Sequence, residues 1–272
     1  MKKTSSVLRL VEGALLIAVA VVLSLCKLID LPYGGSVTAC SALPLLLVGY
    51  RHGVKFGVFA AFVYALLQLL LGINTLSYVT TPLSVTAVIL LDYVLAFAVL
   101  GLGGIFRRAG RSQGQALVSA ALLTGVLRYG CHVISGCTVW AGLSIPTEAA
   151  LVYSLAYNAT YMLPETLVTA LGAWYLSRGL DVGGTRLSRV ATNKSSGCGF
   201  ALGLCAKGVG TVTAVVDILL IFRHLQDAET GDFILTGLMN VDWLAVAVVT
   251  AVGAVLTIAL ALWARAANKP RG

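Results

Sequence analysis

Charge is scarce in this chain. Only 11% of its 272 residues are Asp, Glu, Lys or Arg, whereas 58% are hydrophobic, and a mean hydropathy of +0.93 lies far outside the range of soluble globular domains. A water-soluble enzyme or binding module is thereby excluded. The six cysteines (Cys26, Cys40, Cys131, Cys137, Cys198 and Cys205) include no CxxC pair. Most lie in or beside apolar segments, where a thiol behaves as a small hydrophobe, so neither a zinc site nor a disulfide framework is indicated and no metal or cofactor is expected. GxxxxGK[ST], HExxH and GxSxG are missing as well, which removes the usual short signatures of nucleotide hydrolysis, zinc proteolysis and serine hydrolysis. Any energy-requiring step would have to draw on a source outside these motifs.

What the chain does have is long apolar runs. They lie near 8 to 29, 54 to 73, 82 to 105, 115 to 137 and 149 to 176, with two more at 201 to 222 and 243 to 264. Each is close to the roughly 20 residues that a helix needs to cross a bilayer. A shorter run from Ser41 to Tyr50 reads as a short or tilted helix. The expectation is an all-α polytopic membrane protein with a six-helix core over residues 1–178 and a two-helix transmembrane hairpin over 201–272. Between them the Gly-, Ser- and Thr-rich stretch 179–200, dense in positive charge, reads as a cytoplasmic linker. The first apolar run follows Lys2, Lys3 and Arg9 but is too long for a signal peptide and has no small-residue cleavage site, so it reads as a retained helix. The net charge of +8 falls in short loops on alternate sides of the spans, as the positive-inside rule predicts. That pattern places both termini in the cytoplasm and makes nucleic acid the weaker reading.

Arg128 and His132 stand four residues apart inside the run from Ala116 to Val139, and Gly136 and Trp140 continue the same step. Ionisable side chains are costly in a bilayer and usually face a protein interior or a wet cavity. The fourth and sixth helices bring further groups to the same half of the membrane: Asp92, about 15 Å along its helix at 1.5 Å per residue, with Tyr93 beside it, and Tyr153 and Asn158. Each has a bland reading. Asp92 and Arg128 can neutralise each other, His132 can bond a backbone carbonyl, Trp140 can be an interfacial belt residue and the tyrosines can be packing. Taken together, the set favours a ligand site, since pockets are apolar cavities with a few convergent polar groups. A carboxylate attracts a cation, aromatic faces stack on flat heterocycles, and Asn offers both donor and acceptor, which suits a flat, cationic, nitrogen-rich ligand.

Other features are weaker. The outer loop LPYGGSVT, with Gly34 and Gly35, reads as an ordinary turn or as a lid over the ligand. Ala14 and Ala18 form a small-xxx-small step on the first helix, open to internal packing or to an external membrane partner. Asp217 in the first helix of the apolar tail reads as a structural partner for a neighbouring helix or for Lys207.

The segments PYGGSVT, ALPLLLVGYRHG, LLDYVLAFAVLGLGGIFR, LRYGCHVISGCTVWAG and YSLAYNATYMLPE resemble, in order, the thiamine-specific substrate-binding subunits (S-components) of energy-coupling factor (ECF) transporters, the ThiT (YuaJ) family. The resemblance covers residues 8–178. It implies a six-helix, non-catalytic subunit that binds thiamine from outside and docks on a transmembrane coupling protein and two cytoplasmic ATPases. By position it implies substrate contacts at Asp92, Tyr93, Arg128, His132, Gly136, Trp140, Tyr153 and Asn158, a gate at Gly34 and Gly35, and a coupling-protein interface at Ala14 and Ala18. Some family members carry Glu and Lys where this chain has Asp92 and Arg128, which keeps the charges and alters their reach. The segment after Arg178 has no counterpart. The residues alone also permit a self-sufficient transporter relaying protons through Asp92 and His132, a membrane sensor of the same ligand, and an intramembrane enzyme with His132 as base and Asp92 as orienter. The enzyme lacks a nucleophile at a recognisable spacing.

Overall fold

The computed structural model describes residues 6–31, 35–143, 145, 147–184, 187–190, 197–225 and 234–268. Gly34 lies outside the described residues. Among those described, helices account for nearly all regular structure: α1 (Ser6–Leu25), α2 (Leu43–His52), α3 (Val54–Leu71), α4 (Pro82–Gly104), α5 (Gln113–Thr138), α6 (Ala150–Gly179), α7 (Gly197–Phe222) and α8 (Trp243–Ala267). Six of them, α1, α3, α4, α5, α7 and α8, are long and apolar enough to cross a membrane. The 30-residue α6 is long enough too, but Ser154, Asn158, Glu165 and Thr169 are buried along it and dilute its hydropathy. The protein is a polytopic helical membrane protein. Its chain divides into two compact units, residues 1–188 with 231–233, and 189–230 with 234–272.

In the first unit, α2 is the short helix expected from Ser41 to Tyr50, and its residues from Pro44 to Tyr50 are buried. It lies against α3 and the end of α4 at backbone distance. A methyl group at Gly101 would strike the backbone of Gly57 and Val58, and one at Gly103 would strike Leu46. Small residues at helix crossings supply such close packing inside a bilayer. Around the crossing Leu45, Ala61, Tyr64 and Leu100 form a buried cluster with Ala20 of α1.

Helix α5 starts with a capping box, in which Ser112 and Gln115 each bond the other's backbone N–H, satisfying donors that a helix start leaves free. It packs on α6 through Gly114, Gly125 and Gly136, which recur every eleven residues, about three helical turns. A methyl group at these glycines would meet Ser177, Thr166 and Ser154 respectively. A single face of α5 therefore rides on α6 over most of its length.

One departure from an all-helical chain is the segment between α1 and α2. Lys27–Asp30 (β1) and Ser36–Thr38 (β2) pair as an antiparallel ribbon, and the side chain of Val37 is fully buried. Pairing the two arms satisfies backbone groups that have no water to bond once the loop is packed on apolar helices.

At the opposite end the first unit is tied by arginines. Arg107 donates to the carbonyls of Tyr50, Arg51 and Gly183 at 2.8–2.9 Å, and Arg51 pairs with Glu12 of α1 while bonding the Val182 carbonyl at 2.8 Å. Gln113 bonds the carbonyl of Leu180 and the N–H of Val182, and Val182 is 1% exposed. The beginning of the Gly-rich stretch after α6 is thus part of the packed core.

In the second unit α7 and α8 pack on each other. Asp242 caps α8 by accepting from Ala245 N at 3.0 Å. Thr250 of α8 donates to Asp217 Oδ2 of α7 at 2.7 Å, the neighbouring-helix partnership expected of this acid.

Candidate ligand site

Four chain segments meet where α3 ends, α4 begins, α5 ends and α6 begins. Thr81 starts α4 by accepting from Ser84 N at 3.1 Å. After Val88 the helix widens into a π-helical stretch, Ile89–Leu95, which carries Asp92 and Tyr93. Such wide turns are rare and often mark functional positions. The Tyr93 hydroxyl donates to the Gly72 carbonyl at 3.1 Å, which ties this stretch to the end of α3.

Asp92 is the centre of the site. His132 Nδ1 lies 2.9 Å from its Oδ1, Ser135 Oγ donates to Oδ2 at 2.6 Å, and the Trp140 indole N–H donates to the same oxygen at 3.1 Å. With the carboxylate ionised, the Nδ1 that faces it is the donor of this bond. Trp140 comes just past the end of α5, buried among Val79, Val88, Ile145 and Tyr153, with the Tyr78 ring 6.4 Å away. An acidic group is thus held on one side by polar donors and flanked by an aromatic wall.

Helix α6 contributes a second layer. Asn158 Nδ2 bonds the carbonyls of Ser154 and His132 at 2.9 and 3.3 Å, and its Oδ1 accepts from Tyr161 OH at 2.6 Å. Its amide is therefore engaged in joining α5 to α6. Gly136 stands at the same crossing, against Ser154, and there its lack of a side chain serves packing. The Tyr161 ring meets His132 edge-on at 5.9 Å. Gly35 lies over Tyr161, where a methyl group would come within 2.9 Å of Cδ1, so the described part of the glycine loop covers the second layer.

The structure brings together Asp92, Tyr93, His132, Gly136, Trp140, Tyr153 and Asn158, with Gly35 above them. Arg128 stands apart. Among the described residues it makes no ion pair with Asp92. Its guanidinium lies 4.9 Å from the centre of the Phe97 ring, and it lines a small, partly open cavity with Glu165. The simple neutralisation of Asp92 by Arg128 is replaced by the His132 contact. Ala14 and Ala18 are exposed on the outer face of α1, along with Val7, Val11, Leu15 and Val22. Tyr161 continues the four-residue step from Tyr153 through Tyr157 that the sequence shows, whereas two residues of the site escaped sequence reasoning. Ser135 was within reach, three positions after His132 on the same helix face; Tyr78 offers no local pattern that separates it from the other tyrosines.

Fold and site together define a class, helical integral membrane proteins with an acidic, aromatic-walled cluster between their spans. Within that class, residues 10–181 match the model of the family described as "Thiamine transporter protein (Thia_YuaJ)", and the chain belongs to this family. It is 34% identical over 182 residues to the thiamine transporter ThiT of Bacillus subtilis (strain 168), covering 63% of this chain and 91% of that one. With the protein of the same name from Lacticaseibacillus paracasei it shares 29% identity over 151 residues, 52% of this chain and 69% of the other. The structure of ThiT from Listeria monocytogenes superposes with a TM-score of 0.52 at 24% identity, covering 63% of this chain and 93% of that one. That likeness concerns the fold. Helices α7 and α8 lie beyond the residues matched by the family.

Proposed function

We propose that the chain is the substrate-binding membrane subunit (S-component) of an ECF-type vitamin transporter, which captures thiamine from outside for ATP-driven uptake by a separate energising module. The observation that carries the reading is the Asp92 carboxylate, held by His132, Ser135 and Trp140 beside an aromatic wall. A carboxylate has room for about four hydrogen bonds, so three internal donors leave capacity for a ligand donor. Its charge and the aromatic faces suit a cationic heterocycle. In this reading Asp92, Tyr93, His132, Trp140 and Tyr153 contact the vitamin, Gly136 and Asn158 shape the wall, Arg128 supplies deeper charge, and the Gly34–Gly35 loop gates the outer face. Both termini are cytoplasmic, and the exposed Ala14–Ala18 face of α1 meets the transmembrane coupling protein, which in turn carries two ATPases. The subunit itself catalyses no reaction and needs no cofactor.

Calorimetric titration of the purified protein in nanodiscs tests this. Saturable thiamine binding is expected, and Asp92→Asn is expected to weaken it by about ten- to a hundredfold, the value of a hydrogen bond to a charged group. Absence of saturable binding in the wild type would sink the proposal. The His132–Asp92 contact also fits a second reading, proton-coupled transport by this chain alone. Thiamine accumulation in liposomes containing only this protein, driven by a pH gradient and without ATPase subunits, would favour that reading.

A further inference from the structure

Glu165 lies in the interior of α6, directly after Pro164, and is 4% exposed. A carboxylate so deeply buried needs donors and a counter-charge. Its donors come from far away in sequence. Thr38 of β2 gives its backbone N–H to Oε2 at 2.6 Å and its hydroxyl to Oε1 at 2.8 Å, and Thr38 Oγ1 is also 2.7 Å from Ser41 Oγ. On its other side Glu165 lines a small, partly open cavity with Arg128, Thr124, Thr166 and Thr169. Arg128 is 9% exposed, and its Nε is buried without a hydrogen-bond partner. An arginine in that setting is a charge in want of an anion, and Glu165 is the acid lining its cavity.

The ribbon is thus pinned at two places. Gly35 packs on Tyr161, whose ring meets His132, which holds Asp92. Thr38, at the other end of β2, is held by Glu165. Just beyond it, Cys40 takes up a left-handed conformation with φ of 64° and its Sγ lies 3.3 Å from the Val168 carbonyl. A residue other than glycine keeps such a conformation where its surroundings over-determine it.

We propose that Glu165, charge-balanced by Arg128 across the cavity, is a positioning residue that clamps Thr38 and so holds the β1–β2 ribbon against Tyr161 and His132, slowing escape of a bound ligand. The proposal rests on the reading of the Asp92 cluster as a ligand site. Its structural half is open to measurement without any ligand.

Hydrogen–deuterium exchange on the full-length protein in nanodiscs reads the clamp, and stopped-flow dissociation of thiamine reads its consequence. In Glu165→Gln the Thr38 amide and its β2 neighbours are expected to exchange about tenfold faster or more. The amides of α5 and α6 are expected to keep their rates. Thiamine dissociation is expected to accelerate by a similar factor with no loss in association rate. Thr38→Val, which removes the hydroxyl bond and keeps the N–H bond, is expected to give the same pattern with a smaller factor and serves if the first variant folds poorly. The double variant Glu165→Gln/Arg128→Met removes both charges and should recover thermal stability lost by leaving Arg128 unpaired, while β2 stays fast. Unchanged β2 exchange in Glu165→Gln and Thr38→Val, or full recovery of β2 protection in the double variant, would overturn the clamp and leave Glu165 a charge-balancing residue of α6. A wild type that binds no thiamine, combined with fast β2 exchange in Glu165→Gln, would keep the clamp and overturn the ligand.

Discussion

Removing one donor at a time from Asp92 separates what each contributes, because the three reach it differently. Ser135 is fully buried and bonds Oδ2 at 2.6 Å, so Ser135→Ala deletes a short bond to a charged group and leaves Trp140 on the same oxygen. Because Trp140 still donates to that oxygen and the charge itself stays, thiamine affinity is expected to fall by only about three- to tenfold, roughly 0.5–1.5 kcal/mol, less than the loss expected for Asp92→Asn. Calorimetry on the variant checks this, and unchanged affinity would leave Ser135 with a packing role alone. Of the site residues, Asp92, His132 and Trp140 were legible as ionisable or aromatic groups in an apolar context. Their mutual bonding was not, because residues four apart on a helix are known to share a face without revealing which neighbour that face meets. Arg128 is the instructive case. It belongs to the same four-residue stripe, yet its guanidinium turns to Phe97 and the Glu165 cavity.

Among the elements, the α5–α6 pair carries the site. The glycine series at 114, 125 and 136 lets the two helices approach at side-chain-free positions, and Gly136 belongs to this series as much as to the ligand wall. At Gly125 a methyl group would lie 2.6 Å from Thr166 Cγ2 and 3.0 Å from its Cβ. Gly125→Ala is therefore expected to push the helices apart at a cost of about 1–3 kcal/mol, in the range of core overpacking. A lowered unfolding temperature with weakened thiamine binding is the expected result in a thermal-shift assay. Unaltered stability would show that Thr166 moves aside freely. The apolar runs foretold these helices to within a few residues, since span length follows from bilayer thickness. The β1–β2 ribbon and the π-helical stretch around Asp92 were not foretold. Both arise where backbone groups find partners outside the local repeat, through long-range packing that hydropathy does not report.

At the scale of the whole first unit, two polar clusters stand at opposite ends, apart from the buried Glu165 and Arg128. One end holds the Asp92 cluster. The other holds Arg51, Arg107 and Glu12, together with His52, whose Nε2 is 3.2 Å from Glu12 Oε2. Burial pushes the His52 pKa below its usual 6.5; Glu12 opposes that shift and Arg51 and Arg9 add to it. A histidine lowered in the folded state resists a proton that the unfolded chain accepts. Its contribution to stability is present above pH 6.5 and is lost as pH falls through the lowered value. Stability of the wild type is expected to decline on acidification across that window, and His52→Gln, which cannot take the proton, is expected to flatten the decline. Unfolding temperature measured against pH for both proteins checks the sign, and parallel curves would remove His52 as the cause.

By itself the sequence determined the medium and the scaffold. Scarce charge, apolar runs of bilayer length and basic residues between them suffice, because insertion depends on local composition. The tertiary structure alone decided which acid meets which base. Helix rotation and register set Asp92 beside His132, Ser135 and Trp140, and turned Arg128 toward the cavity that Glu165 also lines, because side-chain encounters between helices depend on how their surfaces pack rather than on any spacing within one of them.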